Sequence, residues 1–149
     1  MALLALFCCV LFLLRPQPRI EIRTADTVCL WPRDSIGLKW RHSVEKQDWQ
    51  EIWRREGRLL RLDAAYVQTF GAGVPADGVP VPAPEGYVGM AAERVQPQIE
   101  WVVSRNMRGV LFSDGLEWPV YRHLPDYTAV NIAVSLQPAV RQFFKKECV

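Results

Sequence analysis

Histidine is the scarcest chemically useful residue in this chain, with two in 149 positions, His42 and His123. A metal centre needs three or four ligands at a workable spacing. Two of the four cysteines, Cys8 and Cys9, sit inside an apolar N-terminal run, so no ligand-spaced set remains and no resident metal or cofactor is expected. Charge of one sign is missing too: 18 basic against 16 acidic residues leaves +2. The densest basic stretch, Arg54-Arg55 with Arg58 and Arg61, is interrupted by Glu51, Glu56 and Asp63. The electrostatic footprint of a nucleic-acid-binding protein is therefore absent, and nucleic acid is not an expected partner. No G-x-S-x-G elbow occurs. Gly71 to Ala76 spells G-x-G-x-x-A, but a proline-rich stretch follows it. A dinucleotide site needs a helix there, with N-terminal amides facing the pyrophosphate.

Long hydrophobic runs are lacking beyond residue 14. Ala2 to Leu14 is unbroken but falls short of the about 20 residues of a membrane-spanning helix. Its length fits the core of an export signal or a short anchor, although no Lys or Arg precedes it. Arg15-Pro16-Gln17-Pro18-Arg19 would stop a helix. The expected division is a signal peptide or short membrane anchor over 1–18, as an N-terminal hydrophobic helix, and a folded domain over 19–149. The expected location is periplasmic or extracytoplasmic, with membrane contact through the N-terminal segment. Of the cysteines, Cys29 and Cys148 fall in the folded part, near its opposite ends. Paired, they would close a loop worth about 4 kcal/mol in the chain-entropy model. Unpaired, one is a buried thiol and the other a frayed terminal one.

What the chain does have is hydrophobic residues at 50% and six tryptophans. That is enough for one self-sufficient core of roughly 120 to 130 residues. Arg19 to Arg23 alternates apolar and polar, as a half-buried strand does. Along Ile36 to Val44, residues Ile36, Leu38, Trp40, His42 and Val44 share one face. Further strand-like runs are Val28 to Trp31, Leu59 to Phe70, Ile99 to Ser104, Val110 to Ser113, Leu116 to Tyr121 and Thr128 to Leu136. Asp114-Gly115 signals a tight hairpin, since a type I′ turn needs positive φ at both central positions. Short runs at near-regular spacing with such turns predict an all-β domain, an antiparallel sandwich or a partly open barrel. Asp48 to Gly57 fits two readings. As a helix, Trp49, Ile52, Trp53 and Glu56 line one side; as a strand, Trp49, Glu51 and Trp53 share a face. Gly71 to Gly86, with Pro75, Pro80, Pro82 and Pro84, reads as a long connection, functional or mobile.

The candidate site residues form two boxes. One is polar: His42, Ser43 and Glu45, with Glu51 shortly after. The other is the glycine-rich strand exit Phe70, Gly71, Gly73 and Pro75. His42 and Ser43 point to opposite faces of a strand, so the imidazole is badly placed to act as the base for its neighbour. His42, Glu45 and Glu51 would meet around a cation only if the turn between them were tight. The tryptophans suit a β core, and a pocket wall as an alternative.

Leu38-x-Trp40-x-His42-Ser43-Val44-Glu45-Lys46, with Glu51 and then Phe70-Gly71-Ala72-Gly73-Val74-Pro75, resembles an uncharacterised bacterial family, domain of unknown function number eighteen-fifty. The resemblance covers most of the chain after Arg19 and is loose in the C-terminal third. It implies a strand over Gln50 to Arg55. It also implies a small extracytoplasmic protein, often encoded beside the membrane subunits of tripartite ATP-independent periplasmic (TRAP) transporters. No active site comes with it. The leading expectation is a non-enzymatic accessory or interaction protein of such a transport system, with a TRAP membrane subunit as partner. A binding module for a small solute or cation is the alternative, and a cryptic hydrolase using Ser43 the third reading.

Overall fold

The computed structural model describes residues 7, 13–70, 78–140 and 147–148. Among the described residues, twelve strands and one whole short helix follow in chain order. They are β1 Pro16–Arg23, β2 Val28–Leu30, β3 Ser35–Arg41, β4 Asp48–Glu56, β5 Leu59–Val67 and β6 Val79–Val81. Then come β7 Val88–Ala91, β8 Arg94–Gln96, β9 Gln98–Val102, β10 Val110–Ser113, β11 Leu116–Trp118, α1 Val120–His123 and β12 Ala129–Pro138. One sheet has the order β2-β1-β12-β9. The other runs β11-β10-β3-β4-β5-β7-β6, with β8 beside β5. Every pairing of these strands is antiparallel. The result is an open all-β sandwich, not a closed barrel. β1 begins at Pro16, within the stretch expected to precede the domain. The N-terminal hydrophobic helix lies almost wholly outside the described residues.

The core forms where the two inner faces meet. Ile20 and Ile22 of β1, Val130 and Ile132 of β12 and Ile99 of β9 pack with Ile36 and Leu38 of β3, Trp53 of β4, Leu60 and Leu62 of β5 and Leu111 of β10. Period-2 alternation puts those residues on one face of each strand. β4 resolves the ambiguous segment as a strand, paired along its length to β3 and β5. The register with β5 shifts between Ile52 and Trp53: Trp53 faces Leu62 and Ile52 faces Ala64, so Asp63 is left over as a bulge. The bulge changes the phase of β5. Leu60 and Leu62 point inward before it, and Ala65 and Val67 after it. Asp63 is held by ion pairs to Arg54 and Arg61.

Two further features depart from the sequence reading. β6 lies inside the proline-rich stretch and pairs with β7. It is a three-residue strand at the sheet's end, where proline's missing donor is tolerated. The strand expected over Leu116 to Tyr121 stops at Trp118, because Pro119 cannot donate to a ladder and α1 begins after it, anchored by the fully buried Val120. The Asp114-Gly115 turn takes positive φ at both residues, 33° and 80°. The chain passes from one sheet to the other at Pro97, between β8 and β9, and that corner of the sandwich stays open.

Candidate functional site

Glu51 belongs to the inward face of β4. It sits between Trp49 and Trp53, and its cross-strand partners are Leu38 and Ala65, both buried. A carboxylate is an uncommon choice on the inner face of a sandwich, since burying it is costly unless it is partnered. Glu51 has two partners. The Trp53 indole Nε1–H donates to Oε2 at 2.9 Å. The Arg94 guanidinium, from β8, lies 3.6 Å from Oε1. Arg94 also covers the Trp53 ring, 5.2 Å from its centroid. The Glu51 side chain is 20% exposed. Burial pushes its carboxyl above the ordinary range, and the Trp53 hydrogen bond and Arg94 oppose that shift without cancelling it.

These residues form the floor of a groove of about 540 Å³ at the open corner beside Pro97. Trp40, Trp53 and Trp101 are its aromatic surfaces, and Gln96, Gln98 and Glu100 line the β8–β9 side. Trp101 is fixed by a close approach to Gly109, where an added Cβ would sit 2.2 Å from the indole ring. Trp40 stacks obliquely on Trp49, with ring centroids 6.0 Å apart. Such a groove offers π faces, two carboxylates and one guanidinium. That combination suits cations and hydrogen-bonding solutes better than anions.

His42 lies just beyond, at the end of β3. Its ring stacks on Trp49 at 4.6 Å and 15°. Its Nδ1 accepts the Glu45 N–H at 3.3 Å, which leaves Nε2 to carry the proton in the neutral ring. Ser43 is exposed, and its carbonyl accepts from the Lys46 ammonium. His42 and Ser43 line a second pocket, of about 630 Å³, which shares Met107 with the Glu51 groove. His42, Glu45 and Glu51 do not meet around a cation. Among the described residues no three His, Cys, Asp or Glu side chains converge in a way that could hold a metal ion.

The polar box meets the strand leading to the second box. Gln68 accepts the Asp48 N–H at 3.0 Å, and the Thr69 hydroxyl donates to Gln47 at 2.6 Å. These bonds tie the end of β5 to the β3–β4 turn. Phe70 follows, 64% exposed. Gly71, Gly73 and Pro75 lie outside the described residues.

Cys29 and Cys148 are joined as a disulfide, with Cα atoms 5.1 Å apart. The bridge fastens the C-terminal end beside β2, where Leu30 and Glu147 also form a parallel bridge. No helix among the described residues is long and apolar enough to cross a membrane.

The family model described as a domain of unknown function, DUF1850, matches residues 36–120. The chain belongs to the DUF1850 family. No curated protein and no solved structure matches it. The DUF1850 segment runs from β3 to the start of α1, so both pockets fall wholly inside it. β1, β12 and both disulfide cysteines fall outside. Sequence reasoning singled out Glu51 and offered the tryptophans as a pocket wall, but it did not join Trp101 to Glu51 and it missed Arg94. Trp101 is visible in the alternation of Ile99 to Ser104. Nothing near Arg94 in the chain announces that it will cover Trp53.

Proposed function

We propose that this DUF1850 protein is a non-enzymatic, extracytoplasmic binding module that serves a TRAP-type solute transport system, and that the groove over Glu51 takes a small organic cation. One observation carries the reading: the groove is already arranged for a cation, and the protein's own Arg94 stands there. The Arg94 guanidinium occupies the face of Trp53 and the vicinity of the Glu51 carboxylate together. A desolvated π face beside a carboxylate is the chemistry that recognises ammonium and guanidinium groups. The Arg94 side chain is 57% exposed, so a ligand cation can take its place over the Trp53 ring from the solvent side. The Cys29–Cys148 pair supports an oxidising, extracytoplasmic setting.

Thermal unfolding with methylguanidinium and tetramethylammonium tests the site. Either cation should raise Tm by mass action, about 2.7 kcal/mol of stabilisation at a hundredfold excess over Kd. Arg94→Ala should strengthen the response by freeing the site, and Glu51→Gln should abolish it. An unchanged Tm in both wild type and Arg94→Ala would remove the groove from consideration. Association with the transport system is tested separately, by co-purification of a TRAP membrane subunit with the full-length chain from its native membrane.

A further inference from the structure

The pocket on the far side of Met107 has the opposite chemistry. Arg41, His42, Ser43, Lys46, Ser104 and Asn106 line it, and no carboxylate does. We infer that this is a second, independent binding site, for an oxyanion: a phosphate or carboxylate group.

Both cations are tied to the turn by a side-chain hydrogen bond, the exposed Lys46 ammonium donating to the Ser43 carbonyl. Arg41 Nε donates to the Lys46 carbonyl at 2.9 Å, which fixes the guanidinium across the β3–β4 turn and leaves its terminal nitrogens for a ligand. The turn itself is closed by His42 N–H to the Gln47 carbonyl at 2.7 Å and Lys46 N–H to the His42 carbonyl at 3.0 Å. Lys46 adopts φ of 59°, a left-handed conformation uncommon for a lysine. The opposite wall is pinned by the Arg41 N–H, which donates to the Met107 carbonyl at 2.7 Å and thereby holds the Ser104–Asn106 loop against the hairpin. His42 is clamped between Trp49 and the Glu45 amide.

The nearby acids are outside the lining, Glu45 of the same turn included: its amide is bonded to His42, and its half-buried carboxylate keeps one oxygen, Oε2, without a hydrogen-bond partner. Asp48 faces Lys39 at 3.8 Å. Asp126 accepts the Arg105 N–H at 2.7 Å. Two cations, an imidazole, two hydroxyls and a carboxamide thus line the two walls of one pocket with no carboxylate among them, a donor set matched to oxygen anions. The cationic ligand proposed for the Glu51 groove plays no part in this assignment.

Inorganic phosphate titrated into the full chain at low ionic strength, with tryptophan fluorescence as the readout because Trp49 stacks on His42, is the test. Saturable binding is expected. Arg41→Gln and Lys46→Gly should each weaken it tenfold or more, glycine being chosen because it accepts the left-handed turn. Lys39→Ala, outside the pocket, should leave it unchanged. Vesicles of phosphatidylcholine with and without phosphatidylglycerol form the second arm. Binding to the anionic vesicles alone, lost in both pocket variants and competed by phosphate, identifies a lipid headgroup as the source of the same oxyanion. A titration without saturation in both arms overturns the site, as does equal binding by wild type and the two pocket variants.

Discussion

The disulfide offers the largest single stability effect. Cys29 and Cys148 are 119 residues apart in sequence, so their bond closes almost the whole domain into one loop. In the chain-entropy model a loop of that length restricts the unfolded ensemble by about 5 kcal/mol. For a domain of this size that corresponds to roughly 10–20 °C in Tm. Cys148→Ser is the informative variant. Cys29 is 2% exposed within the core, so replacing it would also disturb packing, whereas Cys148 lies at the core's margin. The assay is urea unfolding followed by tryptophan fluorescence, with and without a phosphine reductant. Wild type should lose up to about 5 kcal/mol on reduction. Cys148→Ser should match the reduced wild type and ignore the reductant. The oxidised protein should also show the smaller m value, because a cross-linked unfolded chain exposes less surface. Equal stability of oxidised wild type and Cys148→Ser would refute the assignment, as would two free thiols at these positions in protein purified without reductant.

Three other perturbations probe the groove. Gly109→Ala places a Cβ into the Trp101 ring, at 2.2 Å from the nearest ring atom. The overpacking should cost about 1–3 kcal/mol in denaturant unfolding and swing Trp101 away from the groove, seen in the near-UV circular dichroism. Trp53→Ala removes a fully buried indole. It should destabilise by about 3–5 kcal/mol, while Trp53→Phe costs less but deprives Glu51 of its Nε1–H donor. The raised Glu51 pKa gives a pH signature. Below the unfolded value both states hold the proton and Glu51 contributes nothing to the pH dependence. As pH rises toward the folded value the unfolded chain has already released its proton, so stability falls, and it levels off above the folded value. Glu51→Gln should remove that slope, which starts at the ordinary carboxylate value and ends at the raised folded one. A wild-type-like slope in the variant would assign it to another group.

Much of the sandwich was legible because alternation reports burial directly. Ile20 and Ile22, Ile36 and Leu38, and Val130 and Ile132 read as inward pairs and are inward pairs. The Asp114-Gly115 turn was legible because its backbone demands are local. Glu51 stood out once β4 was treated as a strand, between two tryptophans on the same face. What escaped depends on contacts distant in sequence. β6 hides among prolines, since a strand at the end of a sheet needs few donors. The bulge at Asp63 inverts the phase of β5 halfway along, and no local residue preference signals it. The groove needs the chain to leave one sheet for the other at Pro97, after β8. Pairing of β8 with β5 sets Arg94 opposite Leu62 and so brings it to Glu51, 43 positions earlier in the chain. The conditional cation site of His42, Glu45 and Glu51 does not form, and the His42 ring stacks on Trp49 instead.

The most direct test is the Trp53 indole N–H resonance in a proton–nitrogen correlation spectrum during a methylguanidinium titration. That proton is donated to Glu51, so it reports on the carboxylate at the centre of the groove. A saturable shift of this resonance in wild type, absent in Glu51→Gln, is the expected result. A resonance that stays still, or one that moves equally in the variant, would contradict a cation site at Glu51.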